Sequence, residues 1–177
     1  VALPLAHGEL ALGAIVVAYR PDQAIVNPGR DAFESIATTV SLALANTRHV
    51  ASLEHQAYHD ALTGLPNRAR LHLEFERLAS GKAIGAIVPS LLLLDLNRFK
   101  EINDSLGHHV GDLLLCRIGP RIAEALLTEP SLVCRLGGDE FAVLLFAGGG
   151  TFKALECADR VLAALRQPFD VDGMRLE

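Results

Sequence analysis

Residues 132–146 read LVCRLGGDEFAVLLF, two short apolar runs, Leu132 to Leu136 and Phe141 to Phe146, joined by Gly137-Gly138-Asp139-Glu140. Runs of this length that end at glycine read as strands, and so short a connection makes them a hairpin with acidic groups at its tip. The two glycines permit positive φ in a tight turn and, having no side chains, let a phosphate come close to the backbone. On these residues alone, a plain turn with solvated acids is the competing reading.

Working outward, Ser90 to Leu96 (SLLLLDL) is apolar on both parities, the pattern of a central strand covered on both faces, with Asp95 near its C-terminal end. Phe99, Ile102 and Leu106 mark the core side of a short helix stopped by Gly107. Val110, Leu113, Leu114, Ile118, Ile122, Ala125 and Leu126 mark a longer helix, with a kink expected at Pro120. Beyond the hairpin, Gly148 to Gly150 reads as a loop, Phe152 to Arg166 as a helix, and Phe169 to Leu176 as a hairpin turning at Asp172-Gly173. Before it, HDALTGLPNR (59–68) is a structured turn in which Asn67 caps a helix from Arg68 to about Ala79, closed by Gly81. This alternation predicts an α/β (α+β) fold, a central sheet with helices on its faces and ligands at strand ends.

Asp95, Asp139 and Glu140 are then three carboxylates that the fold should bring together. Clustered carboxylates repel unless a cation sits between them, and hard oxygen donors without His or Cys select Mg2+ or Mn2+ over zinc. Lys100 and Asn103, three apart, share the helix face away from the core, and a lysine for phosphate with an amide for a base edge suits a nucleotide. A solvated surface is the commoner meaning of such a pair.

The chain has 177 residues, 16 Lys and Arg against 21 Asp and Glu, and a net charge of -5, which argues against a basic surface that grips nucleic acid. Cys116, Cys134 and Cys157 form no C-x-x-C pair, sit among apolar neighbours and read as small buried hydrophobes in a reducing, cytoplasmic setting. No apolar stretch reaches the roughly 20 residues of a membrane helix. Val1 is not Met and no signal peptide is evident, so the start reads as a cut.

At the N-terminal end, LALGAIVVA (10–18) suits a buried strand, and Tyr19 to Arg30, with two Pro and a Gly, reads as a loop ending at Asp31 as a cap. From Asp31 to about Tyr58, Phe33, Ile36, Val40, Ala43, Thr47 and Val50 recur at steps of three and four, one apolar seam on a long helix. A two-stranded coiled coil and an amphipathic helix packed on its own domain are equal readings of that seam.

Four ordered motifs resemble those of the GGDEF family, the diguanylate cyclases: HDALTGLPNR (59–68), DLNRFKEIND (95–104), Gly107-His108 with Gly111-Asp112, and RLGGDEF (135–141). The match runs from about residue 57 to the end. The resemblance implies synthesis of cyclic di-GMP from two GTP with release of pyrophosphate, on a fold similar to nucleotide cyclases and polymerase palms. It implies that Asp95 and the carbonyl of Leu96 bind Mg2+ or Mn2+, that Asp139 is metal ligand and candidate base, and that Glu140 supports the metal. Asn103, His108 and Asp112 would hold guanine, Lys100 would approach the phosphates, and Phe99, Gly137 and Gly138 would complete the substrate site. Asn97 stands where many relatives carry a second Asp. The family's inhibitory Arg-x-x-Asp is replaced by Thr128-Glu129-Pro130-Ser131, so no inhibitory product site is expected.

By the same resemblance, residues 59–177 are a GGDEF domain that ends before a further strand and helix, which would leave a fragment poorly active or aggregation-prone. Residues 30–58 are a connector helix, and residues 1–29 resemble the end of a GAF-type sensory domain. The partners implied are GTP and a second copy in a homodimer with one GTP per protomer, with no nucleic acid. The alternative is a GTP-binding regulatory module that controls a downstream phosphodiesterase domain.

Overall fold

The computed structural model describes residues 2–16, 27–80, 88–146 and 150–176. The chain divides into two compact units, 1–55 and 56–177.

In the first unit, β1 (Ala2–His7) and β2 (Leu10–Val16) form an antiparallel hairpin that turns at Gly8-Glu9; α1 spans Asn27–Tyr58, its last three residues belonging to the second unit. β1 is a strand that the sequence reading did not include. β2 was expected to be buried, yet Leu10 is 56% and Val16 75% exposed, because the hairpin's buried side chains come from β1, where Leu3 and Leu5 pack with Ala37, Phe33 and Val40 of α1. The helix begins before Asp31, which is therefore no cap: Pro28 lies in the first turn, where its missing N–H would have had no partner. The single expected seam divides, since Phe33 and Val40 face the hairpin while Ile36, Ala43, Thr47 and Val50 are exposed. Most of the expected 19–30 loop lies outside the described residues.

The second unit opens with the turn at 59–67, where a His59–Pro66 bridge leads into α2 (Arg68–Ala79). Asn67 caps α2 as expected, its Oδ1 accepting from Arg70 N at 3.1 Å. Ser80 terminates the helix, and Gly81 lies outside the described residues. β3 (Ser90–Asp95), β4 (Ser131–Gly137) and β5 (Glu140–Leu145) form an antiparallel sheet in the order β3-β5-β4. The central strand is thus β5, buried at every position from Phe141 to Leu145, and not β3. On one face Leu92, Leu94, Val133, Phe141 and Val143 join the main core with α3 (Phe99–Leu106), α4 (His108–Ala125) and α5 (Gly150–Leu165). On the other, α2 packs against β4, and the cover gives out toward β3, where Leu91 is 45% and Leu93 69% exposed.

α4 runs through Pro120 without a break, and Gly119 lets Leu65 of the turn approach, since a Cβ there would stand 2.5 Å from Leu65 Cδ1. Leu106, expected in the core, is 39% exposed at the end of α3. The last hairpin, β6 (Phe169–Val171) and β7 (Met174–Leu176), turns at Asp172 (φ 49°) and Gly173 (φ 75°) as its Asp-Gly pair predicts. Cys134 and Cys157 are buried and free, and burial pushes the Cys134 thiol up to about 11. Cys116 is only half-buried, its Sγ 3.3 Å from the Leu62 carbonyl. Among the described residues no helix is long and apolar enough to cross a membrane.

Candidate active site

The β4–β5 hairpin is in register from Ser131 opposite Leu145 to Arg135 opposite Phe141, then shifts so that Gly137 faces Glu140. Leu136 is the extra residue, a bulge of the kind that re-aims a strand end. Gly138 adopts φ 55°, left-handed backbone that a side chain disfavours. The turn delivers Glu140 as the first residue of β5, directly opposite Asp95, the last residue of β3. Paired residues of antiparallel strands project from one face with Cβ atoms about 5 Å apart, so these two carboxylates stand side by side. They line a cavity of about 420 Å³ with Arg68, Leu136 and Phe141. Arg68 Nη2 lies 3.5 Å from Glu140 Oε2, and with side chains 71% and 52% exposed this pair adds little stability.

The expected meeting of three carboxylates is not seen. Among the described residues no three His, Cys, Asp or Glu side chains gather closely enough to hold a metal ion. Asp139 is a half-buried turn residue one position before Glu140, outside the strand register that sets Glu140 opposite Asp95. The pair still suits a hard cation, because Mg2+ commonly takes one or two carboxylates and completes its shell with water and substrate phosphate. Leu96, next along the chain, is half-buried, its carbonyl 3.4 Å from Phe99 N.

The other predicted residues lie on α3 and α4. Phe99 is buried in the core, Lys100 is exposed and Asn103 half-buried on α3. His108 and Asp112 are exposed and one turn apart on α4. Asn103 rests on the backbone of α4, since a Cβ built on Gly111 would stand 2.0 Å from Asn103 Oδ1. Gly111 is therefore a seat for the Asn103 amide, beside Asp112 in sequence.

Arg135 carries a role that the sequence reading did not assign. Only 9% of its side chain is exposed, and its Nε and Nη2 donate to the Gly138 carbonyl at 3.1 and 2.7 Å while Nη1 donates to Asp60 Oδ1 at 2.8 Å. That same Oδ1 accepts from Thr63 N at 2.9 Å and Thr63 Oγ1 at 2.6 Å, and Arg135 N donates to the Pro66 carbonyl at 2.9 Å. The signal available in the sequence was a guanidinium inside the apolar run LVCRL, since a charge within a buried strand requires partners.

Burial alone pushes the Asp60 carboxyl up, but hydrogen bonds from Thr63 and Arg135, with the Arg135 charge, outweigh it and hold the group below the usual carboxylate range. A depressed folded pKa contributes stability that is present above the unfolded value of about 3.9 and lost as pH falls through the folded value. Acid unfolding below about pH 4 is expected to be less steep in Asp60→Asn than in wild type. Circular dichroism from pH 5 to 2 checks this, and equal slopes would contradict it.

At the turn after α4, Arg160 donates to the Ala125 carbonyl at 2.5 Å, Thr128 Oγ1 at 3.3 Å and Glu129 Oε1 at 3.1 Å, while Lys153 pairs with Glu129 at 2.7 Å. Arg160 and Lys153, the cations that meet Thr128 and Glu129, are thus engaged by the chain itself.

The model of the family "Diguanylate cyclase, GGDEF domain" matches residues 57–177. Diguanylate cyclase TpbB of Pseudomonas aeruginosa is 47% identical over 118 residues, covering 67% of this chain and 27% of its own length. An uncharacterised protein of Mycobacterium tuberculosis is 37% identical over 174 residues, 97% of this chain and 27% of its own length. The solved GGDEF domain of TpbB superposes with a TM-score of 0.62 at 42% identity, covering 67% of this chain and 69% of that one. The chain thus spans about a quarter of the length of these curated relatives. With the matched residues containing both the hairpin and the carboxylate pair, the chain belongs to the GGDEF diguanylate cyclase domain family.

Proposed function

We propose that residues 57–177 form the catalytic domain of a cyclase that condenses two GTP into cyclic di-GMP, and that the domain acts as a homodimer with one GTP per protomer. The observation that carries this reading is the pairing of Asp95 with Glu140 at strand ends beside the Gly137-Gly138 turn. The ribose 3′-oxygen of one GTP forms a bond to the α-phosphorus of the other, the bond from that phosphorus to the bridging oxygen breaks, and pyrophosphate leaves. The same exchange in the opposite sense closes the ring. Asp139 takes the hydroxyl proton, and Asp95, Glu140 and the Leu96 carbonyl would hold Mg2+ or Mn2+. Such a cation, when bound, would supply a lowered hydroxyl pKa and counter-charge for the phosphates. Lys100 meets the phosphates, Asn103 and Asp112 read guanine as donor and acceptor, and His108 supports the base. Exposed apolar positions on α1, among them Ile36, Val50 and Leu53, support its pairing in a dimer. An upstream sensory domain would act by shifting helix register. The setting is cytoplasmic.

The test is incubation of the full-length protein with GTP and Mg2+, with Asp139→Ala as control. Cyclic di-GMP from wild type alone supports the reading. GTP binding without product would support instead a regulatory module for a downstream phosphodiesterase.

Within this reading Gly111→Ala must displace Asn103 from its seat. We expect KM for GTP to rise roughly 10-fold, the worth of about one hydrogen bond, with a smaller change in kcat. A KM within twofold of wild type would show that the seat does not matter.

A further inference from the structure

The guanidinium of Arg135 touches both the turn leaving α1 and the tip of the catalytic hairpin. It forks two donors onto the carbonyl of Gly138, the residue in left-handed backbone immediately before Asp139, and gives a third to Asp60. Asp60 has its own anchor in Thr63, and the turn has others: Asn67 Nδ2 donates to the Ala57 carbonyl at 2.9 Å and Asn67 N to the Tyr58 carbonyl at 2.9 Å. The end of α1, the 59–67 turn and the hairpin tip are therefore joined by consecutive short hydrogen bonds. The main-chain bond from Arg135 N to the Pro66 carbonyl joins turn and strand whatever the side chain, so the guanidinium adds something else. It fixes the orientation of the Gly138 peptide, and rotation of that peptide is the cheapest motion open to two successive glycines.

We propose that Arg135 is a positioning residue: braced by Asp60, it holds the Gly138 peptide and so sets where Asp139 and Glu140 stand, which makes the turn after α1 a support of the catalytic tip. The proposal rests on the cyclase reading for its kinetic consequence and on geometry alone for its structural one. Lysine cannot replace the arrangement, because one ammonium does not present a planar fork to a carbonyl while reaching a carboxylate on the other side.

The experiment compares full-length wild type, Arg135→Lys, Arg135→Met and Asp60→Asn in two measurements, steady-state kinetics with GTP and hydrogen exchange at individual amides. The expected result is a kcat lowered at least 10-fold in Arg135→Met and at least fivefold in Arg135→Lys, with KM for GTP within about threefold of wild type, since Asn103 and Asp112 lie on other elements. Asp60→Asn is expected to show a smaller loss in the same direction. Exchange at Gly138, Asp139 and Glu140 should quicken at least 10-fold in Arg135→Met while the amides of Val143 and Leu144 stay protected. Should wild type make no product, quickened tip exchange with a protected core still supports the brace, and the cyclase reading alone has failed. Unchanged tip exchange in a folded Arg135→Lys, or exchange that rises equally in β5, overturns the proposal, as does a kcat within twofold of wild type.

Discussion

Asp95→Asn is expected to lower cyclic di-GMP formation at least 100-fold while leaving the fold as stable as before or slightly more so. The two effects separate because the substitution keeps the shape of the side chain and removes only its charge. Asp95 and Glu140 are register partners across β3 and β5, and like charges directly opposite each other on a sheet cost about 0.2–1 kcal/mol. Asparagine relieves that repulsion. The cation that the proposed reaction requires loses one of two adjacent carboxylates, and a loss of about 2.7 kcal/mol of transition-state stabilisation is a factor of about 100 in rate. Raising Mg2+ or exchanging it for Mn2+ should recover part of the rate, since weaker binding is offset by concentration. Turnover within threefold of wild type, or a melting temperature that falls by more than a few degrees, would show that Asp95 serves the fold and not the chemistry.

Elements whose signals are local were legible in the sequence: the two hairpin turns, the Asn67 cap and α3 stopped at Gly107 all follow from residues within a few positions of one another. What was not legible depends on distant partners. The apolar run of β3 looks the same whether a strand is central or at an edge, and only the order β3-β5-β4 decides it. The seam on α1 divides because the β1–β2 hairpin claims Phe33 and Val40 and leaves Ile36 and Val50 in solvent. Within the site, the motifs lead one to expect Asp95, Asp139 and Glu140 together, and only the strand register makes Asp95 and Glu140 the direct partners. Arg135 and Asp60 lie 75 residues apart, and neither spacing nor composition joins them.

The second large effect belongs to Phe141, the last residue of the motif, whose part is structural. It is wholly buried, in β5 with Leu94 opposite on β3 and Arg135 on β4, and it joins the core formed with α3, α4 and α5. Phe141→Ala removes an aromatic ring from a site walled by sheet and helices, where neighbours cannot collapse into the space. The expected loss is about 3–5 kcal/mol, against a total of about 5–15 kcal/mol for a domain. For a unit of this size that corresponds to a melting temperature lower by roughly 10–20 °C. Phe141→Leu, which keeps most of the apolar volume, should lose about 1.5 kcal/mol or less and retain activity. Because the chain has two compact units, amide exchange from Ala142 to Leu145 is the measurement that isolates this one. A loss below about 1.5 kcal/mol for alanine would mean that the core closes over the cavity, and the ring would then be retained for the positioning of Glu140, its neighbour in the cavity, and not for packing.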